Sequence, residues 1–130
     1  MINIVDTIRS LPNMKGYNPA SQSEIEYAEN QLELNFAEEY KTYLAEFGEI
    51  SAKGIELTGI IDAAYINVIL KTKEKWEMNP GVPKNLYVVE DAAVDGIVIW
   101  QDADGTIYQT KPNGEPVKIA DSLVGYLTLQ

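Results

Sequence analysis

The chain contains no cysteine, no histidine and a single arginine, Arg9, in 130 residues. Without cysteine there is no disulfide, thiol nucleophile or thiolate metal site, and without histidine the usual zinc ligands and the one side chain that titrates near neutrality unperturbed are gone. Serine-histidine, cysteine-histidine and histidine-metal chemistry are therefore excluded. Positive charge is also scarce: 20 acidic residues face 10 basic ones, for a formal net charge of −10. Such a surface repels phosphate backbones and anionic membranes, which argues against direct nucleic-acid or membrane binding; where its charges cluster it speeds association with a basic partner, and otherwise it serves solubility alone. The first residues, MINIVDTIRSLP, carry no basic leader and place Asp6 where the apolar core of a signal would lie. With no run near the roughly 18 apolar residues of a membrane span, a cytoplasmic protein is expected. No internal repeat or low-complexity tract is visible.

What the chain does have is enough apolar material for one domain, since a chain of this length buries roughly two thirds of its unfolded surface and needs no metal or disulfide to hold a core. The densest part is Leu86 to Gln109, where LYVVED, GIVIWQD and ADGTIYQ are runs of Val, Ile, Tyr and Trp closed by Asp and Gly. These read as consecutive antiparallel strands. In Ile97-Val98-Ile99-Trp100 both parities are apolar, which predicts an interior strand covered on both faces.

Helices to cover that sheet are written on both sides of it. Ile2, Val5 and Ile8 predict a short N-terminal helix ended by Pro12, followed by a loop from Met14 to Ala20. Ser21 with Glu24 and Ser23 with Glu26 both fit a capping box, and Ile25, Ala28 and Leu32 form the buried stripe of the helix they start. Its glutamates, Glu24, Glu26, Glu29 and Glu33, read as a solvated face. A second helix restarts at Asn35-Phe36-Ala37-Glu38-Glu39, buries Tyr40, Tyr43, Leu44 and Phe47, and stops at Gly48. Alternation over Gly54 to Gly59 predicts a half-buried strand, while Asp62 to Tyr65 is ambiguous. From the N-cap Asn67, Val68, Ile69, Thr72 and Trp76 line one side of a long helix, with Lys71, Lys73, Glu74, Lys75 and Glu77 on the others. Asn79-Pro80-Gly81 ends it. After the sheet, Asn113-Gly114 turns a strand at Val117-Lys118-Ile119 back beside Thr106–Thr110, and Asp121 or Ser122 caps a last helix that docks through Leu123, Tyr126 and Leu127.

Few constellations suggest chemistry. Asp102-Ala103-Asp104-Gly105 opens like a calcium loop but lacks the third oxygen ligand before the glycine and the later bidentate glutamate, so it reads as a turn. Glu90, Asp91 and Asp95 would need a defined spatial separation to act as an acid and base pair, which sequence spacing does not establish. Ser122 near Lys118 is better explained as a cap than as a serine-lysine dyad. No phosphate loop, dinucleotide fingerprint or kinase signature is present. What remains is a binding module without cofactor or metal. Tyr17, Tyr65, Trp76, Tyr87, Trp100 and Tyr108 are amphipathic aromatics of the interface type, roughly one in three of them expected at the surface. Tyr65, Trp76, Glu90, Asp91, Asp95, Asp102 and Asp104 are the residues expected to form a partner-binding open edge.

The order of landmarks carries a resemblance. Glu24-Ile25-Glu26-Tyr27-Ala28-Glu29-Asn30-Gln31-Leu32, then Phe36 to Gly48, then Gly54-Ile55-Glu56-Leu57-Thr58-Gly59, resembles the SUKH superfamily, which includes the fungal cell-wall-assembly regulator domain. Pro83 to Asp91, Gly96 to Trp100 and Ala120 to Leu127 resemble its remaining blocks in the same order, over about residues 20 to 128 of what reads as a single domain, 1 to 130. Phe36-Ala37 stands where the family usually opens its second helix with Leu-Pro. The resemblance implies an α+β fold, with an antiparallel sheet and helices packed against it. It also implies a non-enzymatic role like that of bacterial immunity proteins, which bind and neutralise the toxic, often nuclease, domain of a delivered toxin. The alternative it implies is a regulatory scaffold of the fungal type. No individual contact residue carries over, because the shared blocks are structural.

Overall fold

In the computed structural model, which describes residues 3–92 and 95–129, the chain runs α1 (Ile4–Arg9), β1 (Lys15–Gly16), α2 (Gln22–Leu32), α3 (Glu38–Phe47), β2 (Ile50–Ala52), β3 (Ile55–Glu56), α4 (Val68–Met78), β4 (Tyr87–Asp91), β5 (Val98–Gln101), β6 (Ile107–Thr110), β7 (Val117–Ala120) and α5 (Leu123–Thr128). The strands form two antiparallel sheets, β1-β2-β3 and β4-β5-β6-β7. The fold is α+β. In β5 every residue of both parities is buried, Gln101 included, as an interior strand between β4 and β6 requires. The cover comes from α4 over β4 and α5 over β7, while α1 packs on α3 and α5, and α2 on α3 and α4.

The helix starts follow local chemistry. Ser21 Oγ accepts from Glu24 N at 3.1 Å and the Glu24 carboxylate accepts from Ser21 N at 2.9 Å, so the first of the two predicted boxes is the one that forms. Ile25, Ala28 and Leu32 are buried, as are Tyr40, Tyr43, Leu44 and Phe47. Asn67 Oδ1 accepts from Ile69 N and Leu70 N to start α4, and Ser122 Oγ accepts from Gly125 N to start α5. Gly48 ends α3 at φ 73°. A side chain there would put a Cβ 1.9 Å from the Asn18 carbonyl oxygen.

Four expectations are corrected. The buried face of α1 is Ile4, Thr7 and Ile8, with Val5 half-buried, because i, i+3 and i+4 share a face; Ile2 lies outside the described residues. The loop from Met14 to Ala20 contains β1, which pairs with β2, a strand the alternation test does not detect in so short a run. The strand predicted over Gly54 to Gly59 has only two ladder residues, Ile55–Glu56. Beyond them Thr58 leaves the small sheet and binds β4 instead, its N–H donating to Val89 O at 2.9 Å and its Oγ1 to Val88 O at 2.8 Å, beside the register shift between Val88 and Glu90. Finally, Lys71, placed off the apolar side of α4 by its period, is buried as well, because its ammonium meets carboxylates from two elements.

The core is built around aromatic rings with satisfied hydroxyls. Phe36, Tyr40 and Tyr87 lie with ring centroids 4.7 to 5.0 Å apart, at tilted or edge-on angles. Tyr40 OH pairs with Thr58 Oγ1 and Tyr43 OH donates to Thr58 O, both at 2.7 Å. Tyr87 OH accepts from Ala37 N and donates to Gln101 Oε1 at 2.7 Å. The Gln101 amide donates onward to Glu39 Oε1 at 2.7 Å, and Glu39 accepts the Leu123 N–H at the start of α5. One buried polar chain thus ties α3, β4, β5 and α5 together, and each link is expensive to leave unmade.

Candidate functional site

The acidic residues singled out in the sequence do not share one edge. β5 runs from the β4–β5 turn to the β5–β6 turn, so Asp95 lies at one end of the strand and Asp102 and Asp104 at the other, roughly 10 Å of strand apart. Asp95 is exposed at φ 53°, next to Gly96, where an added Cβ would stand 2.6 Å from the Pro112 ring. Asp102 is committed to its turn. Its Oδ1 accepts from Asp104 N at 3.0 Å and Thr106 N at 3.1 Å, and its Oδ2 from Tyr108 OH at 3.1 Å. Asp104 is exposed.

Asp91 closes an ion-pair cluster with Lys71 Nζ at 3.4 Å and Lys75 Nζ at 3.2 Å, while Glu74 takes Lys71 at 3.0 Å. The basic cluster of α4 is therefore largely neutralised by neighbouring carboxylates. Trp76 and Glu90 are not surface residues. Trp76 donates its indole N–H to Leu86 O at 2.9 Å beneath Lys84, whose Nζ sits 5.2 Å from the ring centroid. Glu90 accepts from Tyr126 OH and from Glu56 N. Burial pushes its carboxyl above the ordinary range, against the pull of those two bonds. The helix period puts Trp76 inward, and strand burial on both faces puts Glu90 inward.

Tyr65 is 64% exposed, and here the structure adds something the sequence did not flag. The other exposed tyrosines among the described residues are Tyr17 and Tyr27, and both line a pair of adjoining clefts between the N-terminal ends of α2 and α4. One cleft, of about 300 Å³, lies against Tyr17, Pro19 and Asp62; the other, of about 330 Å³, against Tyr27 and Ile69; Glu24, Ile60 and Asn67 are common to both. The floor is pinned by backbone. Ile60 N donates to Gly48 O at 2.9 Å, Gly59 N to Ile66 O at 3.1 Å, and Val68 N to Gly59 O at 2.9 Å. Tyr27 was legible in principle as the aromatic that falls off the Ile25/Ala28/Leu32 stripe. A separate open groove, lined by Glu26, Glu29 and Glu33, lies at the α2–α3 corner, where Glu29 accepts the Phe36 N–H.

A family model described as SUKH_5, SMI1-KNR4 cell-wall, matches residues 1–128. The chain belongs to this SUKH family. The matched region begins ahead of the blocks quoted above and takes in α1 and β1. This chain's fold is similar to that in a crystal structure of a protein from Pseudomonas syringae pv. tomato, with a TM-score of 0.77, 14% identity, and coverage of 96% of this chain and 93% of that one. At that identity the likeness speaks for the fold alone. No curated protein matches.

Among the described residues no group of three or more acidic side chains is placed to hold a metal ion, and no helix is long and apolar enough to cross a membrane. Glu49 is the carboxyl with the titration range of a catalytic acid, pushed up to about 7 by burial and by the neighbouring Glu56 charge. It lines neither of the tyrosine clefts nor the acidic groove.

Proposed function

We propose that this chain is a non-enzymatic binding protein that neutralises a cognate toxin domain by forming a stoichiometric complex with it. The observation that carries the reading is SUKH membership over residues 1–128, joined to a net charge of −10. An acidic domain of this kind suits a basic partner such as a nuclease, whose phosphate-binding groove its carboxylates can occupy in place of nucleic acid. It acts without cofactor or metal, and binds neither nucleic acid nor membrane directly. Exposed Asp95 and Asp104 contribute to the long-range attraction, while Asp91 and Asp102 are held by their own neighbours.

The test is co-expression with the toxin domain encoded beside its gene. Rescue of growth, with a one-to-one complex that weakens as salt rises, is the expected result. A failure of both rescue and complex formation overturns the reading. The family description, which names the cell wall, favours a second reading as a regulatory interaction scaffold. In that case stable complexes form with cellular proteins that are not toxins.

A further inference from the structure

We infer that the tyrosine-lined clefts between the N-terminal ends of α2 and α4 are a docking face for a basic protein segment, one that places an apolar side chain between Tyr27 and Ile69 and a Lys or Arg beside Glu24 and Asp62. As the site of partner capture, the inference rests on the protein-binding reading above.

Three observations converge on this face. Every exposed tyrosine among the described residues is on it or on the segment that forms its floor: Tyr17 at 45%, Tyr27 at 59% and Tyr65 at 64% exposure, with Leu70 at 51% in the first turn of α4. Tyrosine gives large contact area at low entropic cost and keeps its hydroxyl for hydrogen bonds, which is why it concentrates in interface centres. A surface that exposes Tyr17 and Tyr27 in adjoining clefts that share Ile60 is costly in water unless covered.

Charge then selects the occupant. The carboxylates lining the two clefts are Glu24 and Asp62, and among the described residues no Lys or Arg lines either. Two helix N-termini point the other way, each equivalent to roughly +0.5 charge, but Ser21 and Glu24 already cap α2 and Asn67 caps α4, so two full negative charges outweigh them. An anionic ligand is disfavoured and a cation is attracted.

The floor is also preorganised. Gly59 can approach so closely only because it has no side chain, since a Cβ there would stand 2.1 Å from Gly48 O and 2.7 Å from Glu49 Cβ. Asn67 adds a second tie, its amide donating to Ile61 O at 3.0 Å while its oxygen caps α4. Docking on a surface already held in place avoids the ordering cost that weakens flexible interfaces.

The experiment is an NMR titration of the full-length chain with two synthetic peptides, one alternating Arg and Leu and one alternating Asp and Leu. The Arg-Leu peptide is expected to give saturable shifts at Tyr17, Tyr27, Ile60, Tyr65 and Leu70, and the Asp-Leu peptide none. Tyr17→Ala with Tyr27→Ala is expected to weaken binding about 30-fold, as loss of two interface anchors does. Glu24→Gln with Asp62→Asn keeps the α2 cap and is expected to remove most of the salt dependence. Shifts that spread over the acidic turns at Asp95 and Asp104, or affinity unchanged in a well-folded Tyr17→Ala/Tyr27→Ala variant, overturn the assignment. Peptide binding on this face without any complex with the adjacent toxin domain leaves the docking face standing and overturns the neutralisation reading instead.

Discussion

Glu49 makes a sharp test of the packing described above. Its side chain is 7% exposed, its Oε2 has no hydrogen-bond partner among the described residues, and Glu56 adds a like charge nearby. Burial first and Glu56 second push its carboxyl from 4.5 up to about 7. The folded state therefore holds this proton more tightly than the unfolded chain. Stability from this group is complete below pH 4.5, falls as pH rises through the interval to about 7, and is flat above it. At about 1.4 kcal/mol per pH unit across that interval, the ionised carboxylate costs the native state about 3 kcal/mol at pH 8. Glu49→Gln removes the charge and keeps the shape. Urea unfolding followed by Trp76 and Trp100 fluorescence should show Glu49→Gln ahead of wild type by about 2–3 kcal/mol at pH 8, and by less than about 1 kcal/mol at pH 5. Subtracting one protein from the other cancels the remaining carboxylates, including the raised Glu90. If the two stability curves run parallel between pH 5 and pH 8, Glu49 is not a buried, unpaired carboxylate and the reasoning fails.

Three further outcomes are expected. Glu39→Ala removes the acceptor for Leu123 N–H and for the Gln101 amide at once, so it should cost about 2–3 kcal/mol and accelerate amide exchange in α5 before the rest of the chain. Asp91→Asn leaves buried Lys71 with Glu74, whose side chain is 51% exposed, and should cost about 1–2 kcal/mol in chemical unfolding. Gly59→Ala drives a Cβ into Gly48 O and should lower stability by about 2 kcal/mol or more, seen as a fall in Tm, whereas Gly81→Ala, which meets nothing within 4 Å, should change it little.

Local chemistry determined much of this molecule in advance. The Ser21 and Asn67 caps, the stripes of α2 and α3, the Gly48 stop and the doubly buried β5 are all fixed by neighbours within one or two turns or strands, so period and capping reveal them. The ordered blocks likewise carried the family, because they are the core-forming segments. Only tertiary structure decided which polar residues stay outside. Lys71 is buried because Asp91, 20 residues away, reaches it from β4, and Glu90 because Tyr126, 36 residues away, donates to it. The acidic turns were separated by the antiparallel path of β5. The tyrosine face arises in the same way: Tyr17 and Tyr27 each share a cleft with Ile60, more than 30 residues on, because Gly48 and Gly59 let two loops close over one another. Capping and periodicity act over a few residues and leave a trace in the sequence, whereas burial of a charge or exposure of a ring depends on partners that only the closed fold supplies.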